Sequence, residues 1–241
     1  MAEPTEALDN FIGKWRARWP EWAVAEVFLP PAQRDLARAW ATLQQELTDA
    51  AWGGSDPTPG EAKLAWWQEE LAGWGRGARR HPLGTVLQRQ PAPWVGLAAT
   101  LPSLAASRDR PGTTEDAFAS VRLFARAAAA VDAALAGSPA GDAHGELVAE
   151  LVAELVAATL LQWRLAQGEA GIPLATLARA GEGDAGPLWA AELRRNWPAH
   201  RAPGRPRRLW AALARTRLEA DPAKPPSGWR TLLTAWRAAR G

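Results

Sequence analysis

Residues 28–47 read FLPPAQRDLARAWATLQQEL, and this stretch decides the fold class. Pro30 and Pro31 stand where the first turn of a helix tolerates proline, and the residues after them repeat at the helical period. The same period runs through almost the whole chain, whereas the alternating Val, Ile and Thr runs typical of strands are missing. The pattern therefore predicts an all-α protein, with helices near residues 5–18, 20–29, 31–51, 59–76, 93–106, 114–136, 142–167, 173–180, 187–196, 205–219 and 228–239.

The composition limits the chemistry that the chain can perform. It has 241 residues, 47% of them hydrophobic and 22% charged, so it can bury a substantial core. The absence of Cys excludes disulfides, thiolate metal sites and cysteine nucleophiles. The 3 His argue against a histidine-built zinc centre, and the absence of Tyr excludes tyrosyl catalysis. No linker is long enough to divide the chain, so residues 1–241 are expected to form one helical domain.

Four segments, taken in their order along the chain, carry a family resemblance. After residues 28–47 come GEAKLAWWQEEL at 60–71, HPLGTVL at 81–87 and GEAGIPLATLARAG at 168–181. Together they resemble the squalene/phytoene synthase family of head-to-head prenyltransferases, over about residues 25–220. The matching positions are Arg34 after the FLP turn, Lys63 and Trp66-Trp67 in a second helix, His81-Pro82, and Gly168, Pro173 and Gly181 in the distal stretch.

The resemblance implies both a fold and a chemistry. The family has an isoprenoid-synthase-like helical bundle around a central cavity, and two aspartate-rich helices hold Mg²⁺ ions that bind the diphosphates of two prenyl substrates. Carboxylates at positions i and i+4 share one helix face and so point at the same ion. Arg34 and Lys63 stand where the family has cations, so they could bind a substrate phosphate or form internal ion pairs. We favour the ion pairs.

Both acidic motifs of the family are incomplete in this chain. The first falls at 45–50, where neither Glu46 nor Asp49 has an acidic residue four positions away. The second falls near Leu160 and Arg164, in a stretch, LLQWRLAQ, that contains no Asp or Glu. A positive charge at Arg164 opposes the binding of a metal cation. The sequence therefore predicts a degenerate family member that has lost Mg²⁺-dependent prenyl diphosphate chemistry and needs neither a cofactor nor a metal.

Two hypotheses for the function follow from these missing carboxylates. The first is a non-catalytic protein that binds a protein partner or a prenyl or other lipid-like ligand. The alternative is an active prenyltransferase whose Mg²⁺ ligands are rearranged onto Glu46, Asp49, Glu150 and Glu154, with Glu46 and Asp49 as its catalytic candidates. Glu146, Glu150 and Glu154 recur every four residues, however, and such a stripe is typical of the solvent-facing side of an amphipathic helix.

The net charge of +2 is unevenly distributed. Residues 189–241 carry 12 Lys and Arg against 3 Asp and Glu. This basic segment could bring the protein into peripheral contact with an anionic membrane, but it contains no recognised nucleic-acid-binding motif, so no specific nucleic acid is expected. The N-terminal residues have no secretory signal pattern, and no apolar run approaches the roughly 20 residues of a membrane span. These features predict a cytoplasmic protein.

Aromatic residues and His81 have structural interpretations. Trp40, Trp66-Trp67 and Trp163 are expected to pack between helices, because aromatic side chains bury large areas. His81 precedes Pro82 and has no carboxylate nearby in sequence that would orient it as a general base. We therefore expect it to occupy a turn or a helix start.

Overall fold

The computed structural model describes residues 4–137, 143–219 and 221–240. They form helices and turns with no β-strand, which confirms the all-α prediction, and none of these helices is long and apolar enough to cross a lipid bilayer. Two 3₁₀ turns, Glu26–Phe28 and Glu169–Gly171, lie between the α-helices. The α-helices are α1 (Pro4–Arg18), α2 (Trp22–Ala25), α3 (Pro31–Trp52), α4 (Thr58–Trp74), α5 (Gly84–Leu87), α6 (Trp94–Ala99), α7 (Leu101–Ala106), α8 (Thr114–Leu135), α9 (Ala143–Ala166), α10 (Leu174–Ala180), α11 (Ala185–Arg195), α12 (Arg205–Arg217) and α13 (Gly228–Arg240).

Proline and a capping box set the starts of two long helices. Helix α3 begins at Pro31, directly after Pro30, whose backbone is extended. Helix α8 begins after Thr113, whose hydroxyl accepts a hydrogen bond from the Asp116 N–H while the Asp116 carboxylate accepts one from the Thr113 N–H. Both starts lie where the sequence predicts them.

Two predicted helices differ from the structure, and one short helix was not predicted. Residues 93–106 form two helices, α6 and α7, that meet at Thr100, because Pro102 has no N–H to donate to the Ala98 carbonyl of a continuous helix. Residues 20–29 form only the four-residue α2 and a 3₁₀ turn. The sequence analysis missed α5, since a helix of four residues is too short to show a period.

Helix α3 occupies the centre of the bundle. From Ala39 to Ala51 every residue of this helix is buried except Glu46 and Asp49, which are half-buried. A helix that is buried on all sides needs neighbours all round, and α1, α4, α5 and α7 pack against it. The two half-buried carboxylates therefore mark the place where the centre of the bundle opens towards the surface.

A buried polar cluster joins three helices behind this opening. Arg207 on α12 donates from Nε to Asp132 Oδ2 on α8, at 2.7 Å, and from Nη2 to Gln44 Oε1 on α3, at 3.0 Å. Asp132 also accepts a hydrogen bond from Trp40 Nε1 of α3, at 2.8 Å. Because a buried charge is costly unless it is paired, this cluster restricts how α12 can lie against α3 and α8.

Candidate functional site

The candidate site is a cleft of about 950 Å³ on one side of the bundle. It is bordered by the C-terminal end of α1, the C-terminal part of α3, the loop 53–56 and the start of α4. The C-terminal end of α9 and residues 223–225 complete its rim. Its charged and polar lining residues are Arg18, Asp49, Ser55, Asp56, Lys63, Gln167 and Arg217.

Asp49, which lines the cleft, and Glu46, three residues earlier on α3, are both held by cations of the chain itself. Arg18 Nη1 lies 2.6 and 2.7 Å from the two carboxylate oxygens of Asp49. Lys63 Nζ lies 2.7 Å from Glu46 Oε2. The side chains of Arg18 and Lys63 are 46% and 45% exposed, against 24% and 13% for Asp49 and Glu46. The cations therefore face the solvent and the carboxylates lie beneath them.

Asp49 has a second contact and a shifted pKa. Gln167 Nε2, just beyond α9, donates to Asp49 Oδ1 at 3.3 Å, which links α3 to the end of α9. Burial raises the pKa of Asp49, although the Arg18 guanidinium beside it acts in the opposite direction. Asp49 is thus a partly buried carboxylate, and both of its oxygens already contact the guanidinium of Arg18.

Across from α3, helix α9 presents no carboxylate. Leu160 lines the narrow space between α3 and α9. Arg164 is buried, and its Nη2 donates to the carbonyl oxygens of Arg108 and Asp109, at 2.7 and 3.3 Å. Burial, reinforced by the nearby Arg110 and Arg108, lowers the pKa of Arg164 to about 10. Where the resemblance implies a second acidic motif, the structure thus has an apolar side chain and a buried cation.

The centre of the bundle between α3 and α9 is filled by aromatic side chains. The ring centroids of Trp19 and Trp163 are 5.6 Å apart, and those of Trp19 and Trp210 are 5.9 Å apart. A void of only about 20 Å³ remains between them, and Gln44 and Gln45 also line it. This volume is enough for one water molecule and far below the ~300 Å³ of a small ligand pocket.

The other cation expected from the resemblance lies outside the cleft. Arg34 is at the start of α3, twelve residues before Glu46, which corresponds to about 18 Å along the helix axis. Its guanidinium donates to the carbonyl oxygens of Leu29 and Val27, at 3.1 and 3.4 Å. The expected internal ion pair is thus present for Lys63, and the described residues contain none for Arg34.

The four carboxylates of the rearranged-ligand hypothesis do not converge. Glu150 forms an ion pair with Arg126 of α8, with both oxygens at 2.8 Å from guanidinium nitrogens. Glu154 lies 3.9 Å from His200 Nδ1. Neither residue lines the cleft that contains Asp49. The structure therefore brings Glu46, Asp49 and Lys63 together and leaves the two α9 glutamates on another side of their helix.

His81 and the Trp66-Trp67 pair have the structural positions expected of them. Trp67 is buried, and its ring centroid is 4.5 Å from that of His81. The His81 Nδ1 atom accepts a hydrogen bond from the Leu83 N–H at 3.1 Å, in the turn before α5. Burial lowers the pKa of His81 to about 4, so the imidazole is neutral at pH 7. These contacts confirm the interpretation of His81 as a turn residue.

The sequence analysis missed Arg18 and Gln167. Arg18 is 31 residues before Asp49, and Gln167 is 118 residues after it. No spacing rule connects residues this far apart, because their contact depends on how α1 and α9 pack against α3.

The comparison with solved structures identifies the fold. The crystal structure of squalene synthase HpnC from Alicyclobacillus acidocaldarius superposes with a TM-score of 0.56, over 97% of this chain and 92% of that one, at 17% identity. The chain has the helical isoprenoid synthase fold. No protein-family model matches the sequence, and no curated protein matches it significantly. At this identity the likeness establishes a squalene synthase-like fold, and the function has to be argued from the cleft.

Proposed function

We propose that this squalene/phytoene synthase-like protein has lost Mg²⁺-dependent prenyl diphosphate chemistry and acts by binding a lipid-like ligand or a protein partner. The observation that carries the proposal is the pairing of Glu46 with Lys63 and of Asp49 with Arg18. Both carboxylates that α3 could offer to a metal ion are already bonded to protein cations. The protein would then be a degenerate relative of the prenyltransferases whose fold it has.

The residues at the cleft do not fit Mg²⁺. This ion prefers octahedral coordination by oxygen atoms. Protein carboxylates, substrate phosphates and water molecules usually supply them. Helix α3 supplies two carboxylates in ion pairs, and α9 supplies Leu160 and Arg164 in place of acids. Within residues 4–137, 143–219 and 221–240, no group of three or more His, Asp or Glu side chains is arranged to hold a metal ion. The loss of the metal site remains our proposal.

The interior also argues against bound prenyl chains. A head-to-head condensation has to bury two long apolar chains beside each other, whereas Trp19, Trp163 and Trp210 leave a void of about 20 Å³. Gln44, Gln45 and Thr48 place polar atoms along the same void. A narrow space with polar walls favours the binding hypothesis, in which the ligand occupies the open cleft instead of the centre of the bundle.

The charge arrangement of the cleft indicates the chemistry of its ligand. Arg18 and Lys63 are more exposed than the carboxylates they hold, so they would meet a ligand before Asp49 and Glu46 do, and the exposed Asp56 lies on the loop that borders the same cleft. The cleft volume of about 950 Å³ is within the range of small-molecule sites. Trp163 and several alanine and proline residues add apolar wall. We infer an occupant with an anionic group next to an apolar portion, such as a phosphorylated lipid or an acidic protein segment.

Calorimetric titration with farnesyl diphosphate, in EDTA and again with Mg²⁺, tests this proposal. We expect equal affinity in the two buffers, and a loss of roughly fivefold for each of Arg18→Gln and Lys63→Gln, because each removes about one exposed charge contact. Lys14→Gln serves as the control, since Lys14 is exposed on α1 and does not line the cleft. Affinity that appears only with Mg²⁺ would contradict the proposal, and no affinity in either buffer would leave the protein partner as the occupant.

A further inference from the structure

Three large apolar side chains of α13 are exposed on its outer face. Trp229 is 67% exposed, Leu232 50% and Trp236 40%. Positions i, i+3 and i+7 lie on one side of a helix, so the three side chains form a continuous line about 10 Å long. We call Trp229, Leu232 and Trp236 the outer stripe.

The inner face of α13 has the opposite character. Thr231 and Ala235, at 1% and 0% exposure, are the residues that this helix buries against the bundle. Helix α13 packs on α12, on α2 and on the turn Glu26–Phe28 through these small side chains. An amphipathic helix of a globular protein normally turns its large apolar residues inward. In α13 both tryptophans and Leu232 remain exposed although the helix is docked.

The outer stripe is bordered by cations. Arg230 and Arg237 are exposed and form no ion pair with any carboxylate in the described part of the chain, and Arg240 lies over the Trp236 ring at 4.0 Å. The turn beside α13 adds exposed Val27. Arg205 contacts the Phe28 carbonyl of the same turn, at 3.2 Å. The aromatic side chains of the outer stripe thus stand beside arginines that no carboxylate of the described residues neutralises.

We propose that the outer stripe docks the protein on the surface of an anionic lipid bilayer. Tryptophan is enriched at membrane–water interfaces, because its ring is apolar and its N–H is polar. A helix that lies in the interface plane buries such residues to a depth of a few ångströms, while arginines beside them pair with lipid phosphates. Helix α13 presents both features: the exposed tryptophans of the outer stripe, and the exposed Arg230 and Arg237.

The charge of the surrounding segment favours a membrane over another copy of the chain. Residues 189–241, which include α13, carry 12 Lys and Arg against 3 Asp and Glu. Two such surfaces would repel each other, whereas an anionic leaflet attracts each nearby Arg by an amount worth roughly fivefold in affinity. The stripe would bind bilayers whether or not the cleft holds a ligand, so this proposal and the proposed function can fail separately.

Vesicle flotation with the full chain tests the docking surface. The probes are vesicles of phosphatidylcholine with about 30% phosphatidylglycerol, and vesicles of phosphatidylcholine alone. We expect the protein to bind the anionic vesicles, and we expect this binding to weaken as the salt concentration rises, because salt screens the attraction between the arginines and the lipid phosphates. Trp229→Ser combined with Trp236→Ser should lower the affinity at least about tenfold, because it removes both interfacial anchors. Arg230→Gln combined with Arg237→Gln should lower it roughly tenfold or more.

Matched controls keep this test specific. Leu123→Ser and Arg122→Gln change an exposed apolar and an exposed basic residue on α8 and should leave vesicle binding unchanged. Circular dichroism checks folding, and the single variant Trp229→Ser replaces the double one if that loses structure. Absence of wild-type binding to anionic vesicles, or equal binding by the tryptophan variants, overturns the proposal. So does tighter binding of an oligonucleotide at the same salt, or a dimer that the tryptophan variants dissociate.

Discussion

Lys63 Nζ on α4 lies 2.7 Å from Glu46 Oε2 on α3, at the position where the family resemblance implies a metal ligand. Arg18 of α1 holds Asp49, almost one helical turn further along α3, in the same way. The two protein cations thus stand where divalent ions would neutralise these carboxylates. If so, removing these cations should change how strongly the two carboxylates bind a metal ion.

Removal of both cations should strengthen metal binding. In the double variant Arg18→Met and Lys63→Met, Glu46 and Asp49 lose their partners and present two uncompensated charges at the cleft. We expect the affinity for Mg²⁺ to rise roughly thirtyfold over the wild type, because each of the two lost cations removes about 1 kcal/mol of repulsion. Isothermal titration with MgCl₂ measures it, with Lys14→Met as the control. Unchanged affinity would show that the ion pairs do not exclude the metal.

The buried pair of Arg217 and Glu21 should be essential for stability. Arg217 Nε and Nη2 donate to the two Glu21 oxygens at 2.6 and 2.9 Å, and both side chains are almost fully buried. Arg217→Met alone leaves a buried carboxylate unpaired and should lower the free energy of unfolding by about 3–5 kcal/mol. Urea denaturation measures this change. The double variant with Glu21→Leu should be less destabilised than the sum of the two single variants, and strict additivity would contradict the pairing.

Gly60 is required where α4 starts against α3. A Cβ atom built at Gly60 would lie 2.1 Å from the backbone oxygen of Ala50, so the two helices would have to separate. We expect Gly60→Ala to cost at least about 1–3 kcal/mol of stability. Gly13→Ala is the matched control, because no heavy atom lies within 4 Å of its Cβ position and alanine favours a helix interior. A neutral Gly60→Ala would show that α3 and α4 are not held this closely.

His81 makes stability depend on pH. Burial holds its pKa at about 4 in the folded protein, against the usual 6.5 of the unfolded chain. Between these values the unfolded chain binds the extra proton, so stability is complete above about pH 6.5 and falls as the pH drops towards 4. His81→Asn should reduce this slope, because Asn can still accept the Leu83 hydrogen bond and does not titrate. Melting temperatures measured across this pH range for both proteins give the comparison.

Glu70 sets the lower limit of the range in which His81 can be studied. Burial opposes its ionisation, but the N–H groups of Arg80 and His81 and the side chains of Trp74 and Arg80 bond to it and lower its pKa overall. A lowered carboxyl pKa adds stability that is lost as the pH falls below the usual 4.5. The contribution of His81 to the change of stability with pH is therefore measured above pH 4.5. A His81→Asn slope equal to that of the wild type there would contradict a buried, neutral imidazole.

The helices were largely predictable because the chain marks their ends locally. Pro31 and the Thr113 capping box act through neighbouring residues, so the sequence contains the whole cause of each helix start. The α6–α7 break was missed although Pro102 is visible, because proline in the first turn of a new helix and proline inside a continuous one look alike in sequence. Helix α5 is held by the turn around His81 and has no period of its own.

The site was only partly predictable. Glu46, Asp49 and Lys63 were singled out from the motif match, and the structure brings them together. The ion pair of Arg18 with Asp49, and the contacts of Arg34 at the opposite end of α3, depend on how other segments pack against this helix. The sequence also did not predict that Trp19, Trp163 and Trp210 fill the centre of the bundle. The position of a tryptophan on a helix face does not indicate how much of the space between helices its ring occupies.

The claim that this protein has lost Mg²⁺-dependent prenyl diphosphate chemistry is tested most directly by incubating it with farnesyl diphosphate, with and without Mg²⁺. Turnover is measured both as released diphosphate and as condensed lipid product. We expect no metal-dependent product above that of the heat-denatured protein, since Glu46 and Asp49 are paired with Lys63 and Arg18 and the part of α9 around Leu160 and Arg164 contains no acid. Mg²⁺-dependent formation of a condensed prenyl product, abolished by Asp49→Asn or Glu46→Gln, would contradict it.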